Sequence, residues 1–462
     1  MSKLLFEPIV DESKLHPSFV TLRDSPPGHP GRSMMEEVFS GFVDPDGHFL
    51  QQFQTEGFDA RLFELYLFAT LSREGYELDR SHESPDFIVQ CDGQRVAIEA
   101  TTVNKAVSGA LAAAGKTIEE LSGDELREYE RHELAIRFGS PLFSKLRKKY
   151  WQLPHCEGLP LVIAIEAFHD PHSLAFSDNA LTSYLYGLEQ AGEWTASGKL
   201  KIETTSVDAH TIDGKTIPSN FFGQPDTENI SAILFTNSGS AAKFSRMGFQ
   251  HGYGNDSFKL IRQGTSFNPH REVMDPTWFC YDVGQPPLIE HWSQGLVVCH
   301  NPNAVMPLSK EFFDGAVQAY VEDGVHVSEH TYWHPISSKT HTVHLGDIKS
   351  RLPLQLLSQS TIEVRAIGKA DFQSTVGNPD VANPLFDEHG WFADSTDSFM
   401  GVLILDKADK DWGYVILARD PHFAFRAIET AASFASRIEA RQRLQFRIGQ
   451  LVQDPKRIFV QD

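Results

Sequence analysis

The sequence predicts an α/β protein with a mixed central sheet flanked by helices, and three stretches carry that prediction. Residues 58–71 are apolar on nearly every side and are followed by a glycine, which is typical of a buried helix. Two short β-prone runs surround Asp92-Gly93, the strongest short sequence signal for a two-residue hairpin turn. Residues 159–168 form one continuous apolar run, as expected of a fully buried central strand.

The hairpin turn determines which side chains face each other. With a two-residue loop, Cys91 faces Gln94, and counting outward places Asp86 opposite Glu99. Side chains directly opposite lie about 5 Å apart at Cβ, so the two carboxylates repel each other unless a cation neutralises them. Hard oxygen ligands favour Mg²⁺ or Mn²⁺ over zinc. The alternative is a solvent-facing turn with two unpaired acids.

Glu64 lies in the middle of the apolar helix, where a carboxylate must be paired or must coordinate a cation. Arg61, one turn earlier, is an available partner. The other hypothesis is that Glu64 points at a metal held by Asp86 and Glu99. Downstream, residues 140–151 predict a basic amphipathic helix that precedes the buried strand.

The order of these features over residues 58–168 resembles the PD-(D/E)XK nuclease superfamily. Asp86 after Pro85 matches the first acid of that motif, and Glu99 with Ala100 matches the second acid and its neighbour. Glu64 matches the first-helix glutamate that many members carry. The resemblance implies a restriction-endonuclease-like core. It also implies Mg²⁺ or Mn²⁺ held by Asp86, Glu99 and the Ala100 carbonyl, with Glu64 beside them.

Thr101 departs from the family pattern, because it occupies the position where the family has lysine. That lysine positions the attacking water and stabilises developing charge, and threonine supplies no charge. Some members take a lysine or glutamine from the following helix, and the segment that begins at Lys145 resembles that helix motif. We therefore expect Lys145 to be the catalytic replacement, with Lys148 and Lys149 behind it. The alternative is that these lysines only hold phosphates or face solvent.

The activity that the resemblance implies is that of a metal-dependent endonuclease. It would hydrolyse phosphodiester bonds of DNA, with RNA as the second choice, in bacterial restriction or anti-phage defence. A bound metal lowers the pKa of water and neutralises phosphate charge. The rival hypothesis is a catalytically inactive nuclease fold that serves as a nucleic-acid-binding or scaffold subunit.

Composition sets bounds on these hypotheses. The 462 residues suggest two to four domains, and the longest apolar runs are too short to span a membrane. The start of the chain has too few apolar residues for a signal peptide. Four cysteines without C-x-x-C spacing indicate reduced thiols in a cytoplasmic protein. The net charge of −21 argues against a broad duplex-binding face but allows a narrow basic cleft. It is also compatible with a regulatory protein partner or a homo-oligomer.

Three segments are predicted: an N-terminal arm (1–55), the nuclease-like core with insertions (56–345) and an accessory α+β domain (346–462). Further elements are expected within them: helices at 33–42, 179–191 and 423–450, a buried strand at 229–235, and a hairpin of 399–406 with 412–418.

Several weaker motifs are open to more than one interpretation. The insertion 103–135 is either a lid or a solvated helical excursion. Within it, residues 109–117 resemble a phosphate-binding loop, but five residues separate the glycines instead of four. Lys243 and Arg246 either present charge to a phosphate or lie on a surface turn. The remaining candidates are five histidines that suggest a second metal site without supporting spacing: His326, His330, His334, His341 and His344.

Overall fold

The fold is taken from a computed structural model of the chain. It describes residues 4–91, 93–103, 125, 128–168, 178–194, 200–212, 214–254, 257–267, 277–284, 290–330, 334–344, 365–367, 369–376, 386–393, 398–406, 412–419, 425–434, 440, 444, 447–448 and 451. The chain divides into two compact units. The first comprises Met1–Gly248 and His291–Ser337, and the second comprises Phe249–Glu290 and Ser338–Asp462. The chain passes from one unit to the other three times, and the predicted boundary at 345 lies near the third passage, between Ser337 and Ser338. The sequence did not predict that 249–290 belongs to the second unit.

Four helices open the first unit: α1 Pro17–Asp24, α2 His29–Ser40, α3 Phe49–Gln54 and α4 Phe58–Arg73. Helix α2 is the short helix predicted at 33–42, and α4 is the predicted apolar helix. Clustered phenylalanine rings join the arm to the core, including Phe42 against Phe68 of α4 at 5.2 Å between centroids. The arm therefore packs on the core through its apolar residues.

Twelve strands lie in the described part of the first unit. They are β1 Glu77–Asp79, β2 Phe87–Cys91, β3 Gln94–Val103, β4 Leu161–Ala167, β5 Leu188–Trp194, β6 Leu200–Ser206, β7 Ala209–Ile212, β8 Lys215–Pro218, β9 Ala232–Thr236, β12 Leu296–His300, β13 Val317–Glu322 and β14 Val325–Glu329. Strands β10 Phe258–Ser266 and β11 Thr277–Asp282 lie between them in the chain and belong to the second unit. Eight strands of the first unit form one mixed sheet in the order β1-β2-β3-β4-β9-β12-β13-β14. Strands β3, β4 and β9 run parallel, and β2 and β3 form the antiparallel hairpin. The protein is thus mixed α/β with a large mixed sheet, as predicted.

Helices cover both faces of this sheet. On one face, α5 (Ala135–Leu146) and α6 (Asn179–Tyr186) pack over the central strands. Phe138 of α5 and Leu181 of α6 share a buried cluster with Ile163 and Ile165 of β4. Helix α4 packs against β3 and covers the other face. Alternation along β3 directs Glu99 toward the α5 face, and this places the predicted acids beside the predicted basic helix.

The helix predicted at 179–191 is shorter than expected. It ends at Tyr186, because Gly187 has a left-handed conformation with φ of 68°. Glycine adopts that conformation without a Cβ clash and commonly terminates helices. The remaining residues of the predicted helix form β5.

The second unit contains two sheets and the helix α8 (Lys369–Val376) in its described part. One sheet joins β10 and β11 to β15 (Pro335–His344). The other is antiparallel and contains β16 Arg365–Ile367, β17 Phe386–Ala393, β18 Phe399–Asp406, β19 Trp412–Arg419 and β20 Phe425–Phe434. The predicted hairpin is confirmed as β18 and β19.

The prediction of one helix over 423–450 is wrong for its first half. Residues 425–434 form β20, which pairs with β19. The helical part lies later, where Ala440, Leu444 and Ile448 are fully buried against Leu403 of the sheet. Residues 425–434 adopt a strand because they pair with β19. A local sequence pattern does not reveal such long-range pairing.

Three further predictions concern the insertion after β3, the histidine-rich segment and membrane spans. Residues 104–124 and 126–127, with the phosphate-loop-like motif, lie outside the described residues. Within the described ranges, no group of three or more His, Cys, Asp or Glu side chains could hold a metal ion, so the histidine-rich segment gives no second metal site there. None of the helices in those ranges is long and apolar enough to cross a membrane.

One buried acid at the end of β4 has a direct consequence for stability. Glu166 is fully buried, and its Oε1 accepts a hydrogen bond of 2.8 Å from the Gly239 amide. Its Oε2 has no hydrogen-bond partner among the described residues. Burial raises the pKa of Glu166 well above its usual value, and nearby Asp59 raises it further.

We expect Glu166→Gln to flatten the dependence of stability on pH. A glutamic acid with a raised folded-state pKa stabilises the fold below about pH 4, its unfolded pKa, and this contribution is lost as the pH rises through the folded value. Relative to the variant, the wild type should lose about 1–3 kcal/mol by pH 8, the scale of an unsatisfied buried polar group. Thermal unfolding at pH 5, 6, 7 and 8 measures this, with exposed Glu56→Gln as the control. Parallel curves for wild type and Glu166→Gln would contradict the assignment.

Candidate metal and active site

The β2–β3 hairpin has the register that the Asp92-Gly93 turn predicts. Cys91 pairs with Gln94 and Phe87 pairs with Ile98, and Gly93 has a φ of 79°. The next residues outward are Asp86 and Glu99. Their side chains therefore lie side by side on one face of the sheet.

Backbone amides connect the two acids. The Asp86 amide donates to Glu99 Oε2 at 3.2 Å, and the Ala100 amide donates to Asp86 Oδ2 at 2.7 Å. Glu99 is 6% exposed, and Asp86 is half-buried. Each carboxylate is thus oriented by the backbone beside the other, which keeps two like charges together.

The electrostatics of Asp86 indicate unneutralised negative charge. Burial, then the neighbouring Glu99 and Glu64 carboxylates, raise the pKa of Asp86 to about 8. The Ala100 amide and Lys145 act in the opposite direction without overcoming that rise. A site that makes an aspartate this hard to ionise is one that a cation would stabilise.

The structure brings Lys145 to the acids, as the sequence analysis expects. Lys145 lies in the last turn of α5, and its Nζ is 2.5 Å from Glu99 Oε1. The Tyr150 hydroxyl donates to the same oxygen at 2.7 Å. The two other lysines lie elsewhere: Lys148 is exposed, and Lys149 pairs with Asp226 at 3.3 Å.

Tyr150 is a site residue that the sequence analysis did not select. Burial raises the pKa of its hydroxyl, and the adjacent Glu99 carboxylate adds to that shift. The hydroxyl therefore stays protonated and serves as a donor to Glu99. The helix predicted over 140–151 ends at Leu146, and Tyr150 begins a separate short 3-10 helix after Lys149, which has a left-handed conformation. The sequence signal for Tyr150 was its place in the segment that begins at Lys145 and resembles the family's helix motif.

Glu64 is held by two arginines. Arg61 Nη1 lies 2.5 Å from Glu64 Oε2, and Arg80 Nη2 lies 2.8 Å from Oε1. Arg80 also lies over the rings of Phe42 and Phe87, at 4.0 and 4.7 Å from their centroids. The sequence alternative that Arg61 pairs with Glu64 is thus confirmed, and Arg80 is a partner that no sequence pattern indicated. The predicted role of Glu64 as a metal ligand stays a prediction, which would require release from these contacts.

Thr101 is half-buried, and its backbone is in register with Ile165 of β4. Alternation places its side chain on the same face as Glu99. Because threonine has no charge, Lys145 on α5 provides the ammonium that contacts Glu99 in this site.

Lys243 and Arg246 do not present charge to a phosphate. Both lie in α7 (Ala241–Gly248) and are buried, with exposures of 0% and 2%. The Lys243 ammonium donates to the His291 carbonyl at 2.5 Å. Their expected placement on a surface turn is wrong as well, because the turn continues into a helix that packs on α2.

The donor set fits a hard divalent cation. Asp86, Glu99 and the Ala100 carbonyl offer only oxygen ligands, which Mg²⁺ and Mn²⁺ prefer. Mg²⁺ usually keeps several waters and needs only one or two carboxylates. The described residues contain no group of three or more acids, histidines or cysteines that could hold a metal ion. A site with two carboxylates is still compatible with Mg²⁺, because water supplies the remaining ligands.

Asp86→Asn should change how the stability of the metal-free protein depends on pH. An aspartate has an unfolded pKa of about 3.9, and that of Asp86 in the folded protein is about 8. Its stabilising contribution is therefore present below about pH 4 and is lost as the pH rises toward 8. Between pH 5 and pH 8 the wild type should lose stability relative to Asp86→Asn in thermal unfolding.

The same variant tests metal binding. Mn²⁺ at 100 times its dissociation constant should stabilise the wild type at pH 8 by about 2.7 kcal/mol and leave Asp86→Asn unchanged. The control is Asp314→Asn, at an exposed aspartate remote in sequence from the hairpin. An equal Mn²⁺-induced shift in Asp86→Asn would show that this aspartate is not a ligand.

Comparison with known proteins identifies no relative. No protein-family model matches the chain, and no curated protein and no solved structure matches it significantly.

Proposed function

We propose that the protein is a Mg²⁺- or Mn²⁺-dependent nuclease with a restriction-endonuclease-like core. The observation that carries the proposal is the meeting of Asp86, Glu99 and Lys145, which come from two strands and a helix. Two acids can hold a metal that activates water and neutralises phosphate charge, and an ammonium group adds a positive charge beside it.

The chain order of the fold supports this proposal. The acid-bearing hairpin is followed by α5, which carries Lys145, and then by β4, which lies parallel to β3. This arrangement resembles the core of the PD-(D/E)XK superfamily, with the charge of the missing lysine supplied from the helix.

Each site residue has a role that its contacts support. Asp86, Glu99 and the Ala100 carbonyl would hold the metal, which supplies an activated water and neutralises phosphate charge. Lys145 has three N–H donors, and its contact with Glu99 leaves two for a phosphate oxygen or for the attacking water. Tyr150 fixes the orientation of the Glu99 carboxylate.

The substrate proposed is DNA, with RNA as an outcome of the test. Arg147 and Lys148 are exposed just beyond Lys145 and would meet a phosphate backbone. The net charge of −21 restricts binding to this local basic surface. A cytoplasmic role in bacterial restriction or anti-phage defence, with a regulatory partner or a second copy of the chain, belongs to the same proposal; the four free cysteines are compatible with it.

A second candidate function is an inactive nuclease fold that binds nucleic acid or serves as a scaffold. The observation that favours it is the pairing of Glu64 with Arg61 and Arg80, which occupies a carboxylate that many members use. Thr101 also favours an inactive fold, because it supplies no charge at the position where the family has a catalytic lysine. Lys145 at Glu99 favours the enzyme instead, because it supplies beside the acids the ammonium that Thr101 does not.

Cleavage of plasmid, single-stranded DNA and RNA in Mg²⁺, Mn²⁺ or EDTA tests the proposal. We expect metal-dependent cleavage that falls by about 10²–10³-fold in Lys145→Gln, the usual loss when one transition-state donor is removed. Asp86→Ala should abolish cleavage, whereas Lys14→Gln, the control at an exposed lysine remote in sequence from the site, should cleave at the wild-type rate. Nucleic-acid binding without cleavage under any condition would favour the inactive fold.

A further inference from the structure

Two histidines form a contact beside the acids that the proposed mechanism does not use. The rings of His82 and His155 stack with centroids 3.7 Å apart and planes within 3°. His155 Nε2 lies 2.7 Å from the Ser84 carbonyl oxygen. A carbonyl only accepts hydrogen bonds, so the nitrogen must carry the hydrogen and donate it.

This contact joins two segments that hold the acids. His82 and Ser84 belong to the bend that runs directly into Asp86. His155 follows Tyr150, whose hydroxyl is bonded to Glu99. The pair therefore connects the backbone that carries the first acid to the segment that orients the second.

The bend needs such support, because strand pairing does not fix it. Strand β1 ends at Asp79 and β2 begins at Phe87, and the residues between them lie outside the strand pairing. Asp79 Oδ1 accepts from Ser81 at the start of the bend. At its other end, the Ser84 carbonyl lies two residues before Asp86, so a hydrogen bond to it restrains the backbone that leads into Asp86.

We propose that His155, stacked on His82, is a positioning residue that fixes the bend so that the Asp86 carboxylate faces Glu99 and Lys145. The catalytic consequence rests on the proposed nuclease function, whereas the positioning itself does not. A displacement of about 1 Å in a catalytic group can reduce a rate by about 10²-fold, so a backbone hydrogen bond at this point has a measurable effect.

The two histidines can be replaced by side chains that keep or remove one interaction at a time. His155→Gln places an amide donor near the position of Nε2, whereas His155→Leu keeps bulk and removes the donor. His82→Phe keeps a stacking ring, and His82→Ala removes it. His48→Leu is the control, because His48 is exposed at the start of α3.

The first measurement is Mn²⁺ affinity by calorimetry, with the rate of cleavage beside it. We expect His155→Leu to weaken Mn²⁺ binding about 10–100-fold, the usual effect of losing a group that orients a ligand, and His155→Gln to restore it to within about threefold. His82→Ala should weaken binding less than His155→Leu, and His82→Phe and His48→Leu should match the wild type. Equal binding by wild type and His155→Leu, or equal loss in the Gln and Leu variants, would overturn the proposal.

The second measurement requires neither metal nor substrate. A double-mutant cycle between His155→Leu and Asp86→Ala, in denaturant unfolding, reports whether the two positions are coupled. We expect the unfolding equilibrium constants to depart from additivity by at least about fivefold, and additivity would refute positioning. If the wild type neither binds Mn²⁺ nor cleaves, the nuclease proposal fails, and this cycle alone decides the role of His155.

Discussion

The placement of two acids on facing positions of one hairpin is the constraint on which the site depends. Asp86 and Glu99 come together because the turn allows one register, and a slip of one residue would direct them to opposite faces. Two carboxylates on facing positions repel each other, so neighbouring groups must stabilise their negative charge. Backbone amides, the Lys145 ammonium and the Tyr150 hydroxyl provide that compensation mainly to Glu99.

The cations around the site are divided unequally between the acids. Glu64 contacts two guanidinium groups and Glu99 contacts one ammonium, while Asp86 accepts a hydrogen bond from one amide. The raised pKa of Asp86 is the result, since burial and two neighbouring carboxylates outweigh what it receives. Asp86 is therefore the acid whose negative charge is least compensated by the described residues around it, and a cation beside it would lower its pKa.

Local sequence determined the parts of the fold that could be predicted, and long-range packing determined the others. The Asp92-Gly93 turn and the apolar run that forms β4 depend on nearest neighbours, so the register of the site followed from the sequence. Arg80 reaches Glu64 only because α4 and the end of β1 pack together, and no spacing indicates that contact. The strand β20 was missed for a related reason, because pairing with β19 overrides a segment that also suits a helix.

Thr101 carries no charge, so the positive charge beside Glu99 comes from a helix and not from β3, with a physical consequence. A lysine at 101 would be held in the same β3 strand as Glu99, and its distance from the acids would be set by a rigid ladder. Lys145 is instead positioned by the packing of α5 on the sheet, where Phe138 and Leu142 are buried. The Tyr150 hydroxyl, which comes from the turn after that helix, contacts the same carboxylate oxygen. The site is therefore complete only when α5 is packed on the sheet. A displacement of α5 would remove the Lys145 ammonium from Glu99 and leave the hairpin register intact.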